Sequence, residues 1–254
     1  MLAQLLPADI FLVVLVFARI GSAMMLLPGF GEAFVAPRVR LLLAVAVTLV
    51  VTPVVADTLP RAPDSLMGSF VLIAGEMAIG LFLGALSRMM VAALHTAGVI
   101  IGFQTSLANA QLFDPVNSTQ GSLMGTFLNV MGVFLIFAAD LHHLMIMALA
   151  DSYALFVPGQ SLPIGHFSTA GVQVVGKSFA LAMQISAPFI VMGMLFYLAL
   201  GLLARLMPQV QVFFIAIPVQ LALGFLVMAM TLSAGMIWFL GAFETTFIGL
   251  LLPR

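Results

Sequence analysis

Arg19 is the residue whose chemistry most needs an explanation, because it lies amid the apolar run Ile10–Leu27. A guanidinium at the centre of a bilayer costs ~2.5–3.5 kcal/mol on insertion scales, so it must face protein or water. Glu76, in another apolar run, is its candidate partner. Such a pair either fixes helix register or relays a proton. One isolated pair makes a poor proton pathway, so the structural role is expected. Asp140, His142 and His143 form a cluster with metal-ligand chemistry. On a continuous helix Asp140 and His143 share a face, whereas adjacent histidines diverge by about 100°. No second His/Glu pair follows at ligand spacing, so no metal is expected. The cluster is read as the polar end of a helix at a membrane interface. There is no Gly-rich phosphate loop, no nucleophile elbow and no carboxylate pair on one segment. Cysteine is absent as well, so neither catalysis nor a cofactor is expected.

The elements that must position these residues follow from composition. Of 254 residues, 63% are hydrophobic and 7% charged, against about 25% charged in a soluble domain. A formal net charge of -1 gives no electrostatic case for nucleic acid. Six apolar stretches stand out: Ile10–Leu27, Val39–Ala56, Leu66–Leu94, Ser122–Ala150, Lys177–Leu206 and Val210–Leu240. Each is long enough to cross the ~30 Å hydrocarbon core as a helix, although the second is short and several are overlong. Unpaired amides are too costly in lipid for any other continuous backbone, and the runs are too long for barrel strands. The expected fold is therefore an all-α integral membrane protein of about six long helices, several of them broken by proline or glycine. Pro53, Pro188 and Pro218 lie inside apolar runs and are expected to kink or end their helices. Pro28–Pro37 reads as a turn, and Asp151–Gly176 as a loop holding at most a short helix.

Two further patterns bear on assembly. Gly80 and Gly84, Gly98 and Gly102, and Gly121 and Gly125 are GxxxG pairs, which let helix backbones approach closely, within one chain or between subunits. Between the last two pairs lies the polar segment 104–120, "QTSLANAQLFDPVNSTQ", flanked by strongly apolar helices.

Three strings together resemble one family. Residues 18–44 carry Arg19, Pro28, Gly31, Pro37, Arg38 and Arg40; residues 75–115 carry Glu76, Gly80, Gly84, Gly98, Gly102, Gln104, Asp114 and Pro115. Residues 205–225 carry Arg205, Pro208, Gln209, Val212, Phe213, Pro218 and Gly224. In this order they resemble the FliR family, known as SctT in virulence secretion systems, over nearly the whole chain. The resemblance implies a single FliR-like membrane domain over 1–254, in which a FliP-like part, 1–176, precedes a FliQ-like hairpin and tail, 177–254. It implies a subunit of a type III secretion export gate in the bacterial inner membrane, flagellar rather than injectisome. Its implied partners are FliP-like and FliQ-like subunits, an FlhB-like switch protein, the lipid membrane and unfolded secreted proteins as cargo. Arg19, Glu76, Gly80, Gly84, Gly98, Gly102, Arg205, Pro208, Gln209, Phe213 and Pro218 are then packing or assembly residues. The family's plug loop matches residues about 104–120, with Leu107, Leu112 and Phe113 as apolar seal and Asp114-Pro115 fixing the turn. Aromatics are usual two and five places before the Asp-Pro; this chain has Leu112 and Asn109 there. The reading from another class is a secondary transporter with a substrate site at the membrane midplane.

Overall fold

The computed structural model describes residues 2–60, 62–63, 65–109, 122–160, 164–207 and 212–251. Among these residues the chain is all-α. Its helices are α1 (Leu2–Met24), α2 (Pro37–Val55), α3 (Leu66–Gln104), α4 (Leu123–Ala138), α5 (Leu141–Leu155), α6 (Ile164–Leu206) and α7 (Val212–Leu251). Short 3-10 turns follow α2 at Ala56–Thr58 and α3 at Leu107–Asn109. The chain divides into two compact units: Met1–Met89, Ile136–Val175 and Phe243–Arg254 form the first, Met90–Leu135 and Gly176–Ala242 the second.

Among the described residues four helices are long and apolar enough to cross a membrane, or up to five spans if the α4–α5 pair counts as one. At 1.5 Å per residue, α3, α6 and α7 each run roughly 58–65 Å, about twice the thickness of a hydrocarbon core. Little of this apolar surface is covered within the chain; for Phe167–Leu206 only 11% of the most apolar window is buried. Several hydroxyls inside these helices donate back to carbonyls one turn earlier, as Thr48 does to Ala44, Ser186 to Ala182 and Thr231 to Val227. Their polar atoms are thereby satisfied without water.

The structure corrects four sequence expectations. The run Ser122–Ala150 is two helices, because Asp140 adopts a left-handed backbone, φ 57°, between α4 and α5. In the first unit Phe137 is held at this break by Phe30, ring centroids 5.4 Å apart, and by His142 at 4.9 Å. Gly29, at φ 81°, allows this close approach, since a Cβ there would strike the Phe137 ring. Second, α6 begins at Ile164, so most of Asp151–Gly176 is helix rather than loop. Ser168 and Thr169 bond back to the Gly165 carbonyl there, which lets a polar stretch propagate the helix. Third, Pro188 and Pro218 do not end their helices, since α6 and α7 continue through them, whereas α2 ends two residues after Pro53. Long apolar helices tolerate one missing backbone bond when the rest of the ladder persists. Fourth, α1 offers only the shorter apolar stretch Ile10–Met24 as a crossing element.

The Pro28–Pro37 turn forms as read, with Arg40 donating to the Glu32 carbonyl at 2.9 Å and Pro37 at the start of α2.

Candidate functional site

The polar centre of the first unit is built where α1, α3 and α5 meet. Glu76, Gly80 and Gly84 recur every four residues and so form one ridge along α3. A Cβ on Gly80 would overlap the Arg19 carbonyl and the Ser22 hydroxyl; one on Gly84 would lie 2.7 Å from the Ala23 carbonyl. The glycines therefore let α3 lie directly on the α1 backbone, and Ser22 donates across to the Met77 carbonyl at 3.2 Å. This approach brings Glu76 level with Arg19.

Arg19 is fully buried and Glu76 is 1% exposed. Arg19 Nε donates to Glu76 Oε2 at 2.6 Å and Nη2 to Oε1 at 3.0 Å, a two-pronged pair. Nη1 donates to Ser152 Oγ at 3.1 Å and Nη2 to the Phe156 carbonyl at 2.8 Å. The guanidinium carbon sits 3.8 Å from the centroid of the Tyr153 ring. Ser152, Tyr153 and Phe156 were missed by sequence reasoning, which placed them at the edge of a loop; the island Asp151-Ser152-Tyr153 in an apolar context was the available signal. The arrangement satisfies a buried charge with a counter-ion, two further acceptors and a π face. It locks three helices together. Among the described residues no chain of titratable groups leads away from it.

The Asp140, His142 and His143 donor atoms lie within 4.8 Å of one another. The shared helix face read for Asp140 and His143 does not hold, because Asp140 lies outside α5 in a left-handed backbone; His142 and His143 both lie within α5, their imidazole centroids 4.0 Å apart. The Asp140 and His143 side chains are 79% and 65% exposed, and Nδ1 of His142 has no hydrogen-bond partner among the described residues. Metal ligands ordinarily have such a partner to fix the ring.

In the second unit α3 and α4 cross backbone to backbone. A Cβ on Gly98 would fall on the Gly125 backbone, and Ser122 both caps α4, accepting from Gly125 N–H at 3.1 Å, and donates to the Gly98 carbonyl. Gly102 faces Ser122 Oγ at the looser distance of 3.4 Å. Gly98→Leu is expected to destabilise the chain by about 3 kcal/mol or more, since no side-chain rotation relieves a clash with backbone. Gly171, with no atom within 4 Å of its would-be Cβ, is expected to accept leucine with unchanged thermal unfolding in detergent. Equal losses for the two variants would refute the crossing as the cause.

Of the residues assigned to the plug, Leu107 is half-buried and Asn109 ends the 3-10 turn. Leu112, Phe113, Asp114, Pro115 and the Gly121 of the last GxxxG pair lie outside the described residues, as do Pro208 and Gln209. Arg205 is exposed in the last turn of α6, Pro218 is exposed within α7, and Phe213 is the second residue of α7.

Extended apolar helices and a sealed internal ion pair, with no evident reaction centre among the described residues, describe a membrane component. The chain belongs to the bacterial export proteins, family 1, whose model matches residues 10–246. It is 38% identical over 231 residues to the flagellar biosynthetic protein FliR of Caulobacter vibrioides, covering 91% of this chain and 92% of that one. The Bacillus subtilis protein of the same name is 29% identical over 86% of this chain and 85% of its own. The surface presentation of antigens protein SpaR of Salmonella typhimurium is 29% identical over 85% of this chain and 81% of its own.

Proposed function

We propose that this chain is a subunit of the export gate of a type III secretion system, of the flagellar kind. With FliP-like and FliQ-like subunits it forms the pore through which unfolded flagellar proteins cross the bacterial inner membrane. The carrying observation is the family match over residues 10–246. The stronger similarity to a flagellar relative, 38% against 29% for SpaR, favours the flagellar system. The exposed apolar faces of α6 and α7, and helix lengths of 43 and 40 residues, fit burial against neighbouring subunits better than exposure to lipid alone.

In this reading residues 1–176 act as a FliP-like part and 177–254 as a FliQ-like hairpin, while an FlhB-like switch protein embraces the cytoplasmic entrance. Segment 104–120 helps close the pore, with Leu107, Asn109, Leu112, Phe113, Asp114 and Pro115 in that role. The subunit is no enzyme and carries neither metal nor cofactor; transport energy comes from other components.

Tagged protein purified from native membranes in mild detergent is expected to bring down a defined oligomer containing FliP-like and FliQ-like chains, seen by mass spectrometry of the intact complex. Recovery only as a monomer or homodimer would sink the reading and promote the secondary-transporter alternative.

A further inference from the structure

The end of α3 is seated in a socket built by α6 and α7 within the second unit. On α7, Gln220 and Gly224 are one turn apart; on α6, Gly193 and Tyr197 are one turn apart. Gly224 lets α7 close on Thr105, whose side chain a Cβ there would strike, and Gly193 leaves room for the Gln104 amide. Both glycines are buried, as are Thr105 and Ser106. Ser106 has a left-handed backbone, φ 59°, which is unfavourable for a serine and persists only when its surroundings hold it.

Gln220, 3% exposed, supplies that hold. Its Oε1 accepts from Ser106 Oγ at 2.7 Å, and its Nε2 donates to the Gln104 carbonyl at 2.7 Å and to Tyr197 Oη at 3.3 Å. The Gln104 carbonyl belongs to the last residue of α3, where helical partners run out. One side chain thus ties a terminal carbonyl and a left-handed serine to a separate helix, without any charge.

We propose that Gln220 is a positioning residue that clasps the end of α3 and fixes the start of the 3-10 turn Leu107–Asn109 that follows it. The consequence for pore closure rests on the gate reading above; the clasp itself does not.

The absence of cysteine from this chain makes the test direct. The full-length protein, purified with the subunits it retains, carries Ala108→Cys in the 3-10 turn after the clasp, and maleimide labelling of this chain is timed. Adding Gln220→Leu is expected to speed labelling about tenfold, as when a buried hydrogen-bonded anchor is lost and the turn opens locally. Ser106→Ala, which deletes one bond only, is expected to give a smaller increase and serves if Gln220→Leu is not recovered. A reference cysteine at Ala187 on α6 must label at an unchanged rate, which separates loss of the clasp from general loosening. Unchanged labelling at residue 108 in both variants overturns the clasp. Faster labelling there sustains it, and the leak measured on deletion of residues 107–116 then decides the gate reading independently.

Discussion

Glu76→Leu is expected to destabilise the purified chain by about 3–5 kcal/mol, because it strands the fully buried Arg19 guanidinium without its counter-ion. The pair joins α1 to α3, and Arg19 also reaches Ser152, Phe156 and Tyr153 around α5, so the loss spreads to three helices. Ser152 and the Phe156 carbonyl remain as acceptors, but neither carries the charge that Glu76 supplies. Arg19→Met alone strands a buried carboxylate and is expected to cost a similar amount. The double variant, Arg19→Met with Glu76→Leu, replaces both charges with apolar volume and is expected to recover most of the loss, since removing a buried pair whole is often nearly neutral. Thermal unfolding in detergent reads these differences. Export of flagellar protein by cells carrying the double variant then separates the two roles considered for the pair. Restored stability with restored export means that the pair fixes register. Restored stability without export means that the charge itself is used, as a proton relay requires.

Much of this geometry was legible because burial in an apolar setting leaves few options. A lone arginine among some twenty apolar residues needs a partner, and Glu76 stood in another apolar run. The spacing of Glu76, Gly80 and Gly84 already places them on one helical face, and that face is the one laid against α1. Helix limits were less legible. Hydropathy reports where a helix tolerates lipid, whereas helix ends depend on whether terminal carbonyls and polar side chains find partners. The stretch before Lys177 looked like a loop because Pro158, Gly159, Pro163 and Gly165 punctuate it, yet α6 begins at Ile164, directly after Pro163. The break at Asp140 has no local signature, since it depends on Phe137 packing over Gly29, more than a hundred residues away in sequence. The clasp at Gln220 was hidden for a similar reason. Its partners lie 114 and 116 residues earlier, and a glutamine in an apolar helix announces a need for hydrogen bonds without naming who meets it.

Deletion of residues 107–116 is expected to make the assembled complex leak ions at rest, with a conductance at least about tenfold above that of the intact protein. The segment begins where α3 ends and finishes before Ser122 caps α4. Its removal therefore spares the Gly98–Gly125 crossing that holds those two helices together. It also spares Gln104, Ser106 and Gln220, so the end of α3 stays seated. A change in conductance after such a deletion reports on the missing segment rather than on a collapsed fold. Planar-bilayer recording of the purified complex provides the readout, with co-purification of the partner subunits as the control for assembly. The gate and transporter readings diverge here, and both differ from a purely structural scaffold. A pore closed by this loop opens when the loop is cut out; a transporter with a midplane site loses uptake and stays tight; a scaffold that only binds neighbouring helices assembles and stays tight. A tight, fully assembled complex would therefore remove segment 104–120 from the gate and leave the chain a structural role in export.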